Sequence, residues 1–334
     1  MKKPIRLAIV GCGDHARRSH VAPALRGRDF VITALCDLTE EQTQPMADSI
    51  MAATHADKPP VFWGSAQRLL TDGGDSFDAV VDASPDGFHL NHLAMFVECG
   101  KHVMVEKPLG VKSDDFGLLR DLLAEAQRKQ LIVTSCHPRR FDPPYLELRA
   151  RLPMLVKTFG RLLALEMDFS YHEPDPAKEG LHRGLLIDHF SHEADYAHFL
   201  LGRCPATFHR LSDALDRYRA VGIRDDGVAL TFQGSRMLGE KVYGEQVRMR
   251  FARGEAILHC KAGTLSMFHH GTGRRLNITV PATDYDRRFD GVMANFAAAI
   301  RGEAANYLTP ADLIANAEGG VRLTDDGSWT YLPR

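Results

Sequence analysis

In VGCGDHA, Val10 to Ala16, two glycines stand two apart and a small residue follows three further on. Gly11 permits a tight turn, Gly13 lets a backbone approach a bound group, and Ala16 lets a following helix pack on the preceding strand. The free amides of such a helix start favour an anion, here a cofactor diphosphate lined also by Cys12, Asp14 and His15. An ordinary strand-to-helix turn also favours glycine, so the second strand adds the deciding residue. It ends in ALCDLTEE at Asp37, an acid placed to accept both hydroxyls of an adenosine ribose. An Asp that merely opens a turn is the plain alternative. From Asp37 through Asp57 there is no Lys or Arg, while Glu40, Glu41 and Asp48 add negative charge. A 2′-phosphate would be repelled there, so NAD is expected in preference to NADP.

Two further sets could move protons. Lys107 follows a buried strand, Val103 to Glu106, and so stands at its carboxyl end, the edge where open α/β sheets bind ligands. In LIDHFSHEADYAHFLLG, helical spacing puts Asp188, His192 and Asp195 on one narrow face, opposite Ile187, Phe190, Ala194, Ala197 and Leu201. The polar trio is therefore expected to point away from its own domain's core. An Asp one turn before a His can orient the ring and stabilise its charged form. A solvated helix face, and a loop decorated by Glu106 and Lys107, account for the same spacings. Pairings such as His189 with Glu193 or His192 with Asp195 invite a metal reading in a chain with 16 histidines. No HExxH-like pair recurs and hydride transfer requires no metal, so no metal is expected.

These residues need elements to position them. Apolar runs at Leu7 to Val10, Val31 to Cys36, Ala79 to Ala83, Val103 to Val105 and Leu131 to Cys136 alternate with helical patterns such as HLNHLAMFVECG. Runs apolar on both faces are strands covered by helices, which predicts a doubly wound parallel sheet of the Rossmann type over residues 1–137. After RRFDPPY the texture changes: Leu165, Met167, Phe169 and Tyr171 alternate with Glu166, Asp168 and Ser170, and VALTF and GEQVRMRFA read as antiparallel strands. Residues 138–334 are thus expected to form an α+β domain with an open, mostly antiparallel sheet, followed by a helix around Phe289 to Ile300.

Bulk properties narrow the partners. A chain of 334 residues suits two domains, and a net charge of −2 gives no pull toward nucleic acid or an anionic membrane. No apolar stretch reaches the roughly 18 residues of a membrane span. The six cysteines are scattered without CxxC spacing and no signal peptide is apparent, so free thiols in a reducing cytoplasm are expected.

The block DAVVDASPDGFHLNHLAMFVECGKHVMVEKPLG, Asp78 to Gly110, resembles the Gfo/Idh/MocA oxidoreductases, the family of glucose-fructose oxidoreductase and inositol dehydrogenase. The similarity continues through RRFDP and LLIDHFSHEADYAHFLLG to the late FAAAIRG helix, covering nearly the whole chain. It implies that Lys107 of the signature Glu106-Lys107-Pro108 reaches both nicotinamide and substrate, and that Ser84, Pro85, Asp86, His89 and Glu106 lie along the cofactor. It also maps the family's Asp-x-x-x-His pair onto Asp188 and His192. The expected activity is NAD-dependent oxidation of a secondary hydroxyl of a sugar, polyol or related metabolite, or reduction of the matching ketone. His192 would take the hydroxyl proton, Lys107 would stabilise the alkoxide and Asp188 would orient the pair. A cofactor-bound regulator without turnover, and a C=C or C=N reductase like biliverdin reductase, share the fold. The chain departs from the family in having only Gly184 before Asp188, Phe190 at a usually small position, and Pro138 before RRF, with His137 beside it. These changes are expected to reshape the substrate pocket, for which His137, Tyr171 and His172 are candidate contacts. Association into a homodimer or homotetramer through the open sheet is expected.

Overall fold

The apolar runs become six parallel strands: β1 (Ile5–Val10), β2 (Phe30–Cys36), β3 (Val61–Trp63), β4 (Ala79–Asp82), β5 (His102–Val105) and β6 (Val133–Ser135). Their order across the sheet is β3-β2-β1-β4-β5-β6, the doubly wound Rossmann arrangement whose order reverses between β1 and β4. Leu7, Ala8, Ile9, Val80, Val81, Val103 and Met104 are all buried, as strands covered on both faces require. The computed structural model describes residues 3–172, 184–214, 216–237 and 244–332.

The chain divides into two units, Met1–Pro138 with Phe289–Ile314, and Arg139–Arg288 with Ala315–Arg334. The late helix, Asp290–Ile300, thus lies with the first unit, whereas the sequence reading assigned all of 138–334 to the second domain. Side chains explain the return. Phe296 stacks on Phe30 at 6.0 Å, Asp290 pairs with Arg26 at 2.5 Å, and Arg301 pairs with Asp29 at 2.5 Å.

The second unit is built on nine strands: β7 (Leu162–Ser170), β8 (Ala206–Ala214), β9 (Arg217–Arg224), β10 (Ala229–Ser235), β11 (Gly244–Phe251), β12 (Gly254–His259), β13 (Thr264–His269), β14 (Arg275–Thr279) and β15 (Ser328–Tyr331). They are ordered β14-β13-β12-β11-β7-β10-β9-β8-β15, and every neighbour pair is antiparallel except β7 with β10. Alternation places Leu165 and Met167 in the core with Phe232, Val247 and Met249, while Glu166 and Asp168 stand on the other face with Arg250 and Gln233.

Candidate functional site

In the first unit the glycine turn is built by close approach. Gly11 adopts φ +79°, and a Cβ there would lie 2.5 Å from the carbonyl oxygen of Ala83, just past β4. No side chain fits between the ends of β1 and β4. Gly13, by contrast, has nothing within 4 Å of where a Cβ would stand, leaving open space over the start of the helix that begins at Asp14. Asp37 ties the turn to β2: its carboxylate accepts from the Cys12 amide at 2.8 Å and from the Leu38 amide at 2.8 Å. Burial, then the Asp37 charge, pushes the thiols of Cys12 and Cys36 up to about 12, so neither is a nucleophile at neutral pH. This turn, its open amides and the acid beyond β2 fit a dinucleotide.

The segment after β4 is held from beneath. Buried Asp82 accepts from the Ser84 amide at 3.1 Å and lies 3.1 Å from His92 Nδ1. Burial works against this carboxylate, but the bond and charge of His92 outweigh it and the pKa is lowered. The His89 ring lies 2.7 Å from the Ser84 carbonyl and 2.8 Å from that of Pro108, bracing the Ser84–Pro85–Asp86 turn against the Glu106–Pro108 turn. Lys107 is half-buried directly beyond β5. Its neighbour Glu106 is buried and receives the Nε2 atoms of His15 at 2.9 Å and His20 at 2.7 Å. Burial alone would raise the Glu106 pKa; the two imidazoles reverse this and hold it well below the ordinary value. The Glu106 charge in turn raises the pKa of His15. His20 was not singled out from sequence, because five residues from His15 is no pairing on an α-helix.

In the second unit, the helix Leu185–Leu201 carries Asp188 and His192 one turn apart, Asp188 buried and His192 half-buried. The expectation that Asp188, His192 and Asp195 together face away from the core is overturned at Asp195, which is 1% exposed. It is held by Arg140 at 2.6 Å and Asn316 at 3.0 Å, and is structural. The helix is enclosed on nearly every side, so its polar residues survive burial through partners. Glu193 behaves likewise, paired with Arg139 at 2.8 Å and accepting from Tyr218 at 2.9 Å.

Asp188 meets a residue the sequence reading missed. The Arg236 guanidinium, also buried, reaches its Oδ2 at 3.3 Å, and His189 Nε2 lies 3.4 Å from the same oxygen. Only the pairing of β10 with β7 and β9 brings Arg236, just past β10, to this helix; no local spacing announces it. Tyr171 stacks on His189 at 5.5 Å, with its hydroxyl 3.3 Å from Nε2. His172 is exposed at an isolated bridge to Met237. His137 is buried in the first unit, its amide donating to the Tyr307 hydroxyl at 3.0 Å.

Phe190, one of the departures from the family, is a core residue. It is fully buried among Phe208, Phe232 and Trp329, and a Cβ on Gly319 would strike its ring at 2.6 Å. The large residue on one helix is admitted by the missing side chain on another. Among the described residues no helix is long and apolar enough to cross a membrane.

Residues 5–137 match the family model for Gfo/Idh/MocA oxidoreductases, described as an NAD-binding Rossmann fold. The D-glucoside 3-dehydrogenase of Escherichia coli is 33% identical over 105 residues, 31% of this chain and 27% of that protein. Inositol 2-dehydrogenase 1 of Saccharopolyspora erythraea is 32% identical over 152 residues, 44% of this chain and 41% of that protein. The chain thus spans less than half the length of either relative. A 3-ketoreductase from Actinomadura kijaniata, solved in complex with TDP-benzene and NADP, shares the fold with a TM-score of 0.76 at 18% identity, over 94% of this chain and 95% of that one. Sheet order, turn geometry and sequence agree on one assignment: residues 5–137 belong to the Gfo/Idh/MocA oxidoreductases, as the NAD-binding Rossmann domain of that family.

Proposed function

We propose that this chain is an NAD-dependent dehydrogenase acting on a secondary hydroxyl of a sugar, polyol or related hydroxylated metabolite, or on the matching ketone. The observation that carries the reading is the Asp37 carboxylate fixed on the Cys12 amide, which places a negative charge beside a glycine turn with open space above Gly13. That arrangement favours ribose hydroxyls over a 2′-phosphate, although the 3-ketoreductase neighbour was solved with NADP. The nicotinamide, when bound, supplies the hydride acceptor or donor.

The rest is the work of the chain's own side chains. His192 accepts the hydroxyl proton and Lys107 stabilises the developing alkoxide, so base and electrophile are separate groups. Asp188 orients His192 and favours its charged form, while Arg236 on Asp188 opposes that effect. Tyr171, His172 and His137 are candidate substrate contacts. The D-glucoside and inositol dehydrogenases among the relatives support the substrate class.

The test is absorbance at 340 nm over a panel of sugars, inositols and sugar acids with either cofactor. NADH formation with at least one member, lost in Lys107→Ala, is expected, together with tighter binding of NAD than NADP and a narrower gap in Asp37→Ala. Tight NAD binding with silence across the panel would replace this reading with that of a cofactor-bound regulator.

A further inference from the structure

The helical run after the glycine turn is not a regular α-helix. Between the α segments Asp14–Ala16 and Ala22–Gly27 lies a π turn, Arg17–Val21. At about 100° per residue, positions five apart on an α-helix would diverge by roughly 140°. A π turn instead closes i→i+5 bonds, which brings positions five apart toward one face, and such turns concentrate at functional sites. His15 and His20 are five apart, and both direct Nε2 at the same oxygen of Glu106, at 2.9 and 2.7 Å, with their rings edge to face at 5.9 Å. Glu106 is delivered from the other side by β5, its amide bonded to the Asp82 carbonyl at 2.8 Å.

We propose that His15, His20 and Glu106 form a three-ligand site for one divalent transition-metal ion of the zinc or cobalt class. Two imidazole nitrogens and a carboxylate are a common set for such an ion when a fourth position is left for a small ligand. The three ligand atoms all lie within 4.8 Å of one another. Around a tetrahedral zinc the ligand atoms stand roughly 3.3 Å apart, from bond lengths near 2.0–2.1 Å, so each imidazole nitrogen needs to retreat from the Glu106 oxygen by about half an ångström. His15 has room to do so, its side chain being 58% exposed, whereas His20 and Glu106 are buried. The open fourth position is therefore on the His15 side. Ser19 Oγ lies 3.4 Å from His15 Nδ1 and can accept from it in the tautomer that leaves Nε2 free to ligate. Glu106 is a buried carboxylate whose oxygen is approached by two imidazole nitrogens, and a divalent ion among the three would supply the positive charge its burial calls for.

The test does not depend on turnover and so stands apart from the proposed activity. The whole chain is stripped with a chelator and titrated with Co²⁺, followed by visible absorption, and with Zn²⁺ and Mg²⁺ by calorimetry. One equivalent of Co²⁺ with intense low-coordinate bands, displaced by Zn²⁺, is expected, with no heat from Mg²⁺. His15→Ala, on the exposed ligand, should weaken binding by at least about tenfold. His20→Ala should abolish the bands, with circular dichroism confirming that the variant is folded. Absence of a stoichiometric Co²⁺ site, or a spectrum and affinity unchanged in His15→Ala, would overturn the assignment.

Discussion

Single residues differ sharply in how far their roles could be read from sequence. The places of Gly11, Asp37 and Lys107 in the fold were legible because a glycine turn, the end of the next strand and the end of a buried strand are defined by local pattern. Arg236 and His20 were not, since one depends on strand pairing and the other on a departure from α-helical periodicity. Arg236 gives the proton chemistry a sharper expectation. If His192 is the base, alcohol oxidation rises with pH through one ionisation, and His192→Ala removes that limb while lowering turnover by roughly 10²- to 10⁴-fold. Arg236→Met removes the cation held on Asp188, which then favours an imidazolium beside it, so the limb should move to higher pH. Rate profiles of both variants check this. A limb that persists in His192→Ala passes the role to another group, Lys107 first.

At the scale of elements, the continuous apolar strands of the first unit were recognised from sequence, but β3 was not. It is only three residues long, VFW, at the sheet edge and half-exposed, and it follows directly on Pro59 and Pro60, which read as loop. The helix Leu185–Leu201 was found with its catalytic candidates, yet its spacing could not reveal enclosure on almost every side. Charged residues usually mark a wet face, and here they are buried against partners from other elements. Asp195 is the place to test this. Asp195→Ala leaves Arg140 without its buried carboxylate and should cost about 3–5 kcal/mol of stability. Denaturant unfolding measures it; a loss below about 1 kcal/mol, the range of exposed pairs, would return Asp195 to a solvated face.

For the whole molecule, stability carries a pH signature from the Glu106 cluster. Glu106, lowered from an ordinary 4.5, contributes above that value and loses its contribution as pH falls through its depressed pKa. His15, raised from 6.5, contributes fully below that value and loses its contribution as pH rises through its elevated pKa. The difference in melting temperature between the wild type and Glu106→Gln should therefore be greatest between these two values and shrink on either side; a flat difference would show that the cluster is not ionised as drawn. In the second sheet, Leu165 and Met167 face the core, leaving a face with Glu166 paired to Arg250 and Asp168 to Gln233. A homodimer or homotetramer formed there would be polar, so light scattering should give a multiple of the chain mass that falls as salt rises; a single-chain mass at micromolar concentration and low salt would refute it. The return of Phe289–Ile314 to the first unit has a consequence for biosynthesis. Phe30, Arg26 and Asp29 leave the ribosome early but meet Phe296, Asp290 and Arg301 only after more than 250 further residues. At roughly 5–20 residues per second that is a wait of about 13–50 s. Through that interval the nascent Rossmann sheet exposes Phe30, a natural landing place for a chaperone, and a ribosome stalled before Phe289 would release a first unit that cannot close.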